Sequence, residues 1–356
     1  MLDELLARTP YGIPQAEKEA GLLRGLNDLT AHHAERCAPY HSILDSIWNG
    51  AAPSAELADV PYLPVTLFKR QVLASVPLDD VTVMLTSSGT TGQAVSQIAV
   101  DKETSLRQAR SLAHSVAHVL GASRLPMLVI DSPSVFKDPS MMSARGAGVL
   151  GMMRFGHRPA FALDEEMRPD LSAVQEFLDR VDGGPFFMFG FTYLVWERLY
   201  EGFHGTGLDL SNGTLIHSGG WKKMVEKSVD NPTFRREMLN HFQLNRIFNF
   251  YGMVEQIGSI FLESDDGLLY PPSFSDVIVR DPITWEECDL GQEGIIQVLS
   301  LIPKSYPGHS VLTEDLGVIE TVSESGQFLG KGLRVTGRVK KAELRGCSDV
   351  IAAAAS

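Results

Sequence analysis

From Pro126 to Phe250 the chain alternates between strand and helix signals, and this alternation limits the possible folds more than any other feature. Pro126 to Asp131 reads as a buried strand, Leu171 to Val181 as a helix, Phe186 to Phe189 as a strand and Tyr193 to Leu199 as a helix. Leu215 to His217 is again strand, Phe234 to Phe242 helix and Arg246 to Phe250 strand. Short apolar runs alternating with helical patterns are what a sheet with helices packed on it requires. Upstream, Leu22, Leu23, Leu26 and Leu29 carry helical spacing within Gln15 to about Cys37, and Asp101 is placed to cap a helix running through Leu120. Beyond about Pro271 the pattern changes to strands, at Val277 to Val279, Ile295 to Leu301, Gly317 to Glu320 and Leu333 to Thr336. The expected fold class is α/β, with a β-rich subdomain from about residue 271 packed on the α/β core.

Composition excludes several classes of function. A chain of 356 residues with 44% hydrophobic content buries a large core. Its net charge of −13 argues against a nucleic-acid partner, yet leaves room for an ATP site, which needs only local positive charge. No stretch approaches the roughly twenty apolar residues of a membrane span. The N-terminus carries Asp3 and Glu4 early and lacks a basic-then-apolar signal. Three cysteines, Cys37, Cys288 and Cys347, fit free thiols in a reducing cytoplasm, the expected location. The ten histidines are scattered and form no zinc motif.

Within this frame one run is unusual: Thr86-Ser87-Ser88-Gly89-Thr90-Thr91-Gly92-Gln93 lies between β-rich residues (Val81, Val83, Met84, Leu85) and Ile98-Ala99-Val100. A strand, a flexible loop and a second strand follow naturally. Glycines let such a loop close over a ligand, and hydroxyls with free N–H groups donate to phosphate oxygens. No lysine follows the glycines, so this is not the Gly-Lys-Ser/Thr nucleotide loop. Four clusters lie downstream. His217-Ser218-Gly219-Gly220-Trp221 ends a strand, and its paired glycines permit close approach to a flat ligand. Phe250-Tyr251-Gly252-Met253-Val254-Glu255 offers an aromatic face for a base and a carboxylate suited to Mg2+. Leu312-Thr313-Glu314-Asp315-Leu316-Gly317 places a carboxylate where it could accept from ribose hydroxyls, and Thr336-Gly337-Arg338-Val339-Lys340 offers two cations to phosphate or ribose.

Taken in this order, the clusters resemble the adenylate-forming superfamily of acyl-CoA synthetases, luciferases and peptide-synthetase adenylation domains. They are most similar to the LuxE-type acyl-protein synthetases. Val60-Pro61-Tyr62-Leu63-Pro64-Val65 with Leu67-Phe68-Lys69 resembles that branch's N-terminal signature. Ser143-Ala144-Arg145-Gly146-Ala147-Gly148 and Ser305-Tyr306-Pro307-Gly308-His309-Ser310 resemble it too, as does the ending Leu344-Arg345-Gly346-Cys347. The resemblance implies the superfamily's large N-terminal α/β domain over residues 1–336 and a short hinge-like segment, 337–356, carrying the acyl-acceptor cysteine. It implies ATP and Mg2+ as cofactors, a carboxylic acid of fatty type as substrate, and an acyl-CoA-reductase-like protein as receiver of the acyl group. By position, it makes Thr86 to Gly92 the phosphate loop, Gly219 and Gly220 the adenine-flanking turn, and Tyr251 the residue stacking near adenine. It makes Glu255 the magnesium ligand, Asp315 the ribose-binding aspartate and Arg338 the nucleotide-contacting arginine. Trp221 and Gly252 are grouped with the nucleotide-binding positions, Cys347, Glu255 and Arg338 with the catalytic ones.

Two departures stand out. Lys340 occupies the place of a usual aspartate, and with 356 the last residue, nine after Cys347, the usual mobile C-terminal domain with its catalytic lysine is not expected. Several positions fit simpler roles on their residue type alone. Glu255 also suits a helix N-terminus, Asp315 a turn beside Gly317, Trp221 a core position, and His217 either a core histidine or a contact near the substrate carboxylate. Lys340, Lys341 and Arg345 would lower the Cys347 thiol pKa, whereas Cys37 and Cys288 read as structural. Two other functions remain open at this level: an adenylating ligase of the phenylacetate–CoA type using a small acceptor, and a nucleotide-binding partner protein without catalysis.

Overall fold

The computed structural model describes residues 1–48, 50–86, 95–136, 144–221 and 228–339. The chain opens with three helices, α1 (Leu2–Leu6), α2 (Gln15–Arg36) and α3 (Ala38–Ile47). A two-residue strand β1 (Leu63–Pro64) and the hairpin β2 (Val81–Thr86) and β3 (Gln97–Asp101) follow. After α4 (Lys102–Leu120) come five mutually parallel strands: β4 (Leu125–Ile130), β5 (Gly156–Phe161), β6 (Phe186–Phe191), β7 (Gly213–Ser218) and β8 (Arg246–Tyr251). Between them lie α5 (Ala144–Met152), α6 (Leu171–Val181), the short turns α7 (Thr192–Leu194) and α8 (Glu201–Phe203), and α9 (Asn231–Phe242). This is the strand–helix alternation expected from the sequence.

The central parallel strands β4 and β6 are apolar throughout because both their faces are covered. Successive side chains point to opposite sides of a sheet. Accordingly Leu128, Ile130, Phe186, Met188, Leu215 and Ile247 pack with Val174 and Phe177 of α6 and Phe234, Met238 and Phe242 of α9. Met127, Val129, Phe187, Phe189 and Ile216, each one residue out of phase, pack with Val116 and Val119 of α4 and Val149 and Met152 of α5. Truncating one of these buried phenylalanines to alanine costs about 3–5 kcal/mol.

From β8 the sheet continues without a break into antiparallel strands: β9 (Phe261–Glu263), β10 (Leu269–Tyr270), then β14 (Gly330–Arg338), β13 (Ser310–Ser323), β12 (Glu293–Ser300) and β11 (Ser275–Arg280). The strands after Pro271 therefore hydrogen-bond into the same twelve-stranded sheet, with β1 added parallel to β13. The β2–β3 hairpin stands apart as a two-stranded sheet. Its Ile98 and Val100 pack with Phe68, Val298 and Tyr306.

Several elements escape the sequence patterns, among them α1, α5, β9 and β10, and three are instructive. Strand β5 contains Pro159, which cannot donate to a ladder; it is tolerated because β5 is the sheet edge, pairing only with β4. Helix α3 shows only Tyr40 and Leu44 as fully buried residues. The segment after β6 is not one regular helix, because Val195–Tyr200 forms a π-helical turn that buries Val195, Trp196 and Leu199. By contrast, Asp101 caps α4 as expected, its carboxylate accepting from the Thr104 N–H at 2.7 Å. Replacing this cap with alanine, Asp101→Ala, should lower stability by about 1 kcal/mol, read as a fall in the urea midpoint at constant m-value; an unchanged midpoint would show that the cap contributes nothing.

Candidate active site

The carboxyl ends of parallel strands are where open α/β sheets expose loops to ligands. Here β6 ends at Phe191-Thr192, β7 at His217-Ser218-Gly219-Gly220, and β8 at Tyr251-Gly252, side by side in register. Gly219 has φ +84, a left-handed conformation that favours glycine, and a Cβ there would lie 3.4 Å from the Phe191 ring. A Cβ on Gly220 would meet nothing within 4 Å. The turn therefore presents bare backbone. Gly252 makes no such demand: its φ lies outside the left-handed region, and a Cβ would sit at ordinary contact distance, 3.5 Å from Ile260. Trp221 packs edge-to-face on Trp196 at 5.8 Å and joins the helix-covered core.

The antiparallel strands bring two further residues to this rim. The Tyr251 hydroxyl donates to Asp315 Oδ2 at 2.8 Å, and Arg338 Nε donates to Asp315 Oδ1 at 3.1 Å across the β13–β14 pair. The Asp315 N–H donates to the Thr313 hydroxyl at 3.0 Å, which fixes the turn of the strand. Burial, then the Asp315 charge, pushes the Tyr251 phenol well above its ordinary range, so it stays a donor. Tyr251, Asp315 and Arg338, far apart in sequence, thus form one hydrogen-bonded chain.

Glu255 lies just beyond, 3% exposed. Burial pushes its carboxyl pKa up; a hydrogen bond with the Ser96 side chain and the charges of Lys69 and Arg338 oppose the rise. Ser96 lies two residues after the segment 87–94, while Thr86, at its other root, pairs with Gln97. One root of the hydroxyl- and glycine-rich loop, at Ser96, therefore stands beside Glu255. Ser87, Ser88, Gly89, Thr90, Thr91 and Gly92 themselves, and Cys347, lie outside the described residues.

His217 is 3% exposed, stacks on Phe234 at 4.8 Å and hydrogen-bonds through Nδ1 to the Thr192 hydroxyl at 2.9 Å. Burial, with a smaller push from the Arg235 charge, lowers its pKa to about 3. It is a neutral imidazole, and among the described residues its Nε2 has no hydrogen-bond partner. Sequence patterns missed Lys69 as a site residue. Its ammonium pairs with Glu314 Oε2 at 3.0 Å, directly beside Asp315. The Leu67-Phe68-Lys69 run was the available signal. Arg145, in the Ser143-to-Gly148 run, pairs with buried Asp131 at the end of β4, 3.3 Å away. A cleft at the opposite end of β8 is lined by Arg235 and Arg246, but these donate inward, to Ile247 O at 2.8 Å and Val119 O at 2.6 Å.

The family described as acyl-protein synthetase, LuxE, matches residues 2–355. The chain belongs to this family. Among curated relatives, the long-chain-fatty-acid–luciferin-component ligase of Aliivibrio fischeri is 23% identical over 306 residues, covering 82% of this chain and 77% of the relative. That of Vibrio harveyi is 25% identical over 317 residues, with the same two coverages. In fold, the chain is similar to an open conformation of 2-hydroxyisobutyryl-CoA ligase in complex with 2-HIB-AMP and CoA (TM-score 0.69, 17% identity, 94% of this chain and 78% of that one). It is also similar to an amide bond synthetase from Marinactinospora thermotolerans (TM-score 0.50, 16% identity, 74% and 50%). The protein has the fold of the adenylate-forming ligases and is an AMP-forming acyl ligase working through an acyl-adenylate. No helix among the described residues is long and apolar enough to cross a membrane.

His217 makes stability depend on pH. Its folded pKa lies below its unfolded value, so folding excludes a proton that the unfolded chain binds. The contribution is complete above about pH 6.5 and is lost progressively as pH falls toward 3. At pH 5 the loss reaches about 2 kcal/mol. Chemical denaturation should therefore show less destabilisation between pH 7 and pH 5 in His217→Asn than in the parent; an identical pH dependence would contradict the buried neutral imidazole.

Proposed function

We propose that the chain activates a fatty carboxylic acid with ATP, releasing pyrophosphate, and that Cys347 then takes the acyl group as a thioester for delivery to a reductase-like partner. The observation that carries this reading is the Tyr251–Asp315–Arg338 chain standing beside buried Glu255 and the bare Gly219-Gly220 turn, all at one rim of the sheet. The glycine turn leaves room for the adenine against Tyr251, with Gly252 in the same rim. A carboxylate has about four lone-pair sites. Tyr251 and Arg338 account for two on Asp315, which leaves acceptors for ribose hydroxyls. The hydroxyls of Thr86 to Thr91 and the N–H groups of Gly89 and Gly92 would donate to the phosphates.

Glu255 fits a magnesium ion. Among the described residues no group of three or more His, Cys, Asp or Glu converges on a point, so a complete protein cage is not expected there. Mg2+ commonly takes one or two carboxylates plus substrate phosphates, and a buried carboxylate made costly by desolvation gains from a neighbouring cation. Bound there, Mg2+ would offset charge on phosphate oxygens. The chain's own part is electrostatic and positional. Arg338 and Lys69 are held by Asp315 and Glu314 where negative charge develops as an acid oxygen attacks the α-phosphorus and the bond to pyrophosphate breaks. His217, neutral, would bind near the acid through Nε2.

The thiol assignment follows from reach and acidity. The Val339 N–H donates to Glu314 O at 2.8 Å, which holds the chain at the site. Cys347 is then tethered within about 30 Å of it at full extension. Burial raises the Cys37 pKa, and burial with the charges of Asp281, Asp289 and Glu287 raises that of Cys288. Both thiols resist forming the nucleophilic thiolate.

Two experiments test this. Acid-dependent ATP–pyrophosphate exchange should require Mg2+ and fall at least about tenfold in Glu255→Gln; exchange indifferent to that change would remove Glu255 as a ligand. Incubation with ATP, Mg2+ and a competent fatty acid should add one acyl mass that hydroxylamine releases. Cys347→Ser should abolish the adduct while exchange stays within about twofold. Efficient acylation of CoA with Cys347 unmodified would replace the acyl-protein reading by a CoA ligase.

A further inference from the structure

The run Ser305-Tyr306-Pro307-Gly308-His309-Ser310 has no role in the chemistry above, yet its contacts converge on it. Ser305, Tyr306, His309 and Ser310 are essentially fully buried. The Tyr306 hydroxyl donates to the backbone oxygen of Glu255 at 2.9 Å. The next residue, Gln256, donates from Nε2 to Gly308 O at 2.9 Å and to Val298 O at 3.0 Å. A Cβ on Gly308 would lie 2.8 Å from Glu255 O, so only glycine lets these two stretches of backbone come together.

The other end of the turn grips the β2–β3 hairpin. Ser305 Oγ donates to Ala99 O at 2.8 Å, and the Ser305 N–H donates to Thr104 Oγ1 at 3.0 Å. Ser305 O accepts from the Ser75 N–H at 2.7 Å. Ala99 lies on β3, three residues beyond Ser96, which contacts the Glu255 carboxyl. Behind the turn, His309 hydrogen-bonds Thr30 Oγ1 at 3.0 Å and stacks on His33 at 5.0 Å, anchoring it to α2.

We infer that the Ser305–Ser310 turn is a positioning element that sets the Glu255 carboxylate in register with the root of the hydroxyl- and glycine-rich loop, and that Tyr306 is its principal residue. The inference rests on Glu255 being the metal ligand. Hydrogen bonds one shell behind a ligand orient it, and losing one typically weakens metal affinity by about 10–100-fold. A turn that tied Glu255 alone would fix only its backbone. One that also holds β3 fixes the carboxylate relative to Ser96, at the root of the hydroxyl- and glycine-rich loop.

The test is a double-mutant cycle between Tyr306→Phe and Glu255→Gln. Two quantities are read: Mn2+ affinity by calorimetry in the presence of a non-hydrolysable ATP analogue, and Mg2+-dependent pyrophosphate exchange. Tyr306→Phe should weaken Mn2+ binding about tenfold and raise the Mg2+ needed for half-maximal exchange. Exchange at saturating Mg2+ should recover most of the parental rate. In the Glu255→Gln background the second substitution should have almost no further effect on either quantity. Equal effects of Tyr306→Phe in both backgrounds, or none in the parent, would overturn the inference. If Glu255→Gln alone leaves metal affinity unchanged, the ligand reading fails instead. Should Tyr306→Phe not fold, Gln256→Met cuts the second tie, and the same cycle decides.

Discussion

The hydrogen bond from Tyr251 to Asp315 is the constraint on which the site depends. Tyr251 ends β8, the last parallel strand, and Asp315 lies on β13, four strands away along the sheet through β9, β10 and β14. On a flat sheet four steps would separate them by roughly 19 Å, far beyond the reach of a tyrosine side chain. A 2.8 Å contact therefore requires the sheet to twist and fold back on itself between β8 and β13. The short strands β9 and β10, of three and two residues, make that return possible because they impose little ladder to bend. The parallel strands supply the glycine turn and the phenol, the antiparallel strands supply the carboxylate and the guanidinium, and neither set makes a site alone.

The same junction is rich in buried polar groups, which would destabilise the fold if left unpaired. Gln256, Ser300, Ser305, Tyr306, His309 and Ser310 are all buried, and each makes a hydrogen bond. Their value lies in direction: an apolar contact would hold the 305–310 turn against β3 at any of several registers, whereas hydrogen bonds to Ala99 O and Glu255 O accept one. His309 and His33 are held neutral by burial, His309 with a pKa lowered to about 3, so the cluster adds no charge to a region that already contains Glu255.

What was legible in the sequence follows from how each feature is encoded. The central parallel strands β4 and β6 announce themselves because burial on both faces makes them continuously apolar, and Asp101 because a cap acts within three residues. Tyr251, Glu255, Asp315 and Arg338 each sit in a compact run of residue types suited to the proposed nucleotide site, and the fold gathers all four at one rim. Strand β5 was hidden by Pro159, tolerated only at an edge that the sequence does not mark. Lys69 and Tyr306 were hidden for a different reason. Both lie in runs that resemble the family's, but Lys69 meets a partner 245 residues away and Tyr306 one 51 residues away, contacts that a local run does not specify.

The charge balance at this rim shows how an acidic chain can still concentrate cations locally. The protein carries −13 overall, and Glu314 and Asp315 stand adjacent on β13. Each holds a cation from a different segment, Lys69 from before the hairpin and Arg338 from β14. In isolation these pairs contribute little stability, since they are partly exposed and screened. Their effect is to fix two positive charges near Glu255 before any ligand arrives. Fixed charges do not have to reorganise when negative charge develops on a phosphate, which is the condition under which electrostatic stabilisation is most effective. Glu314 and Asp315 are thus the groups that hold these two cations in place beside Glu255, and the net charge of the chain says little about the field at this rim.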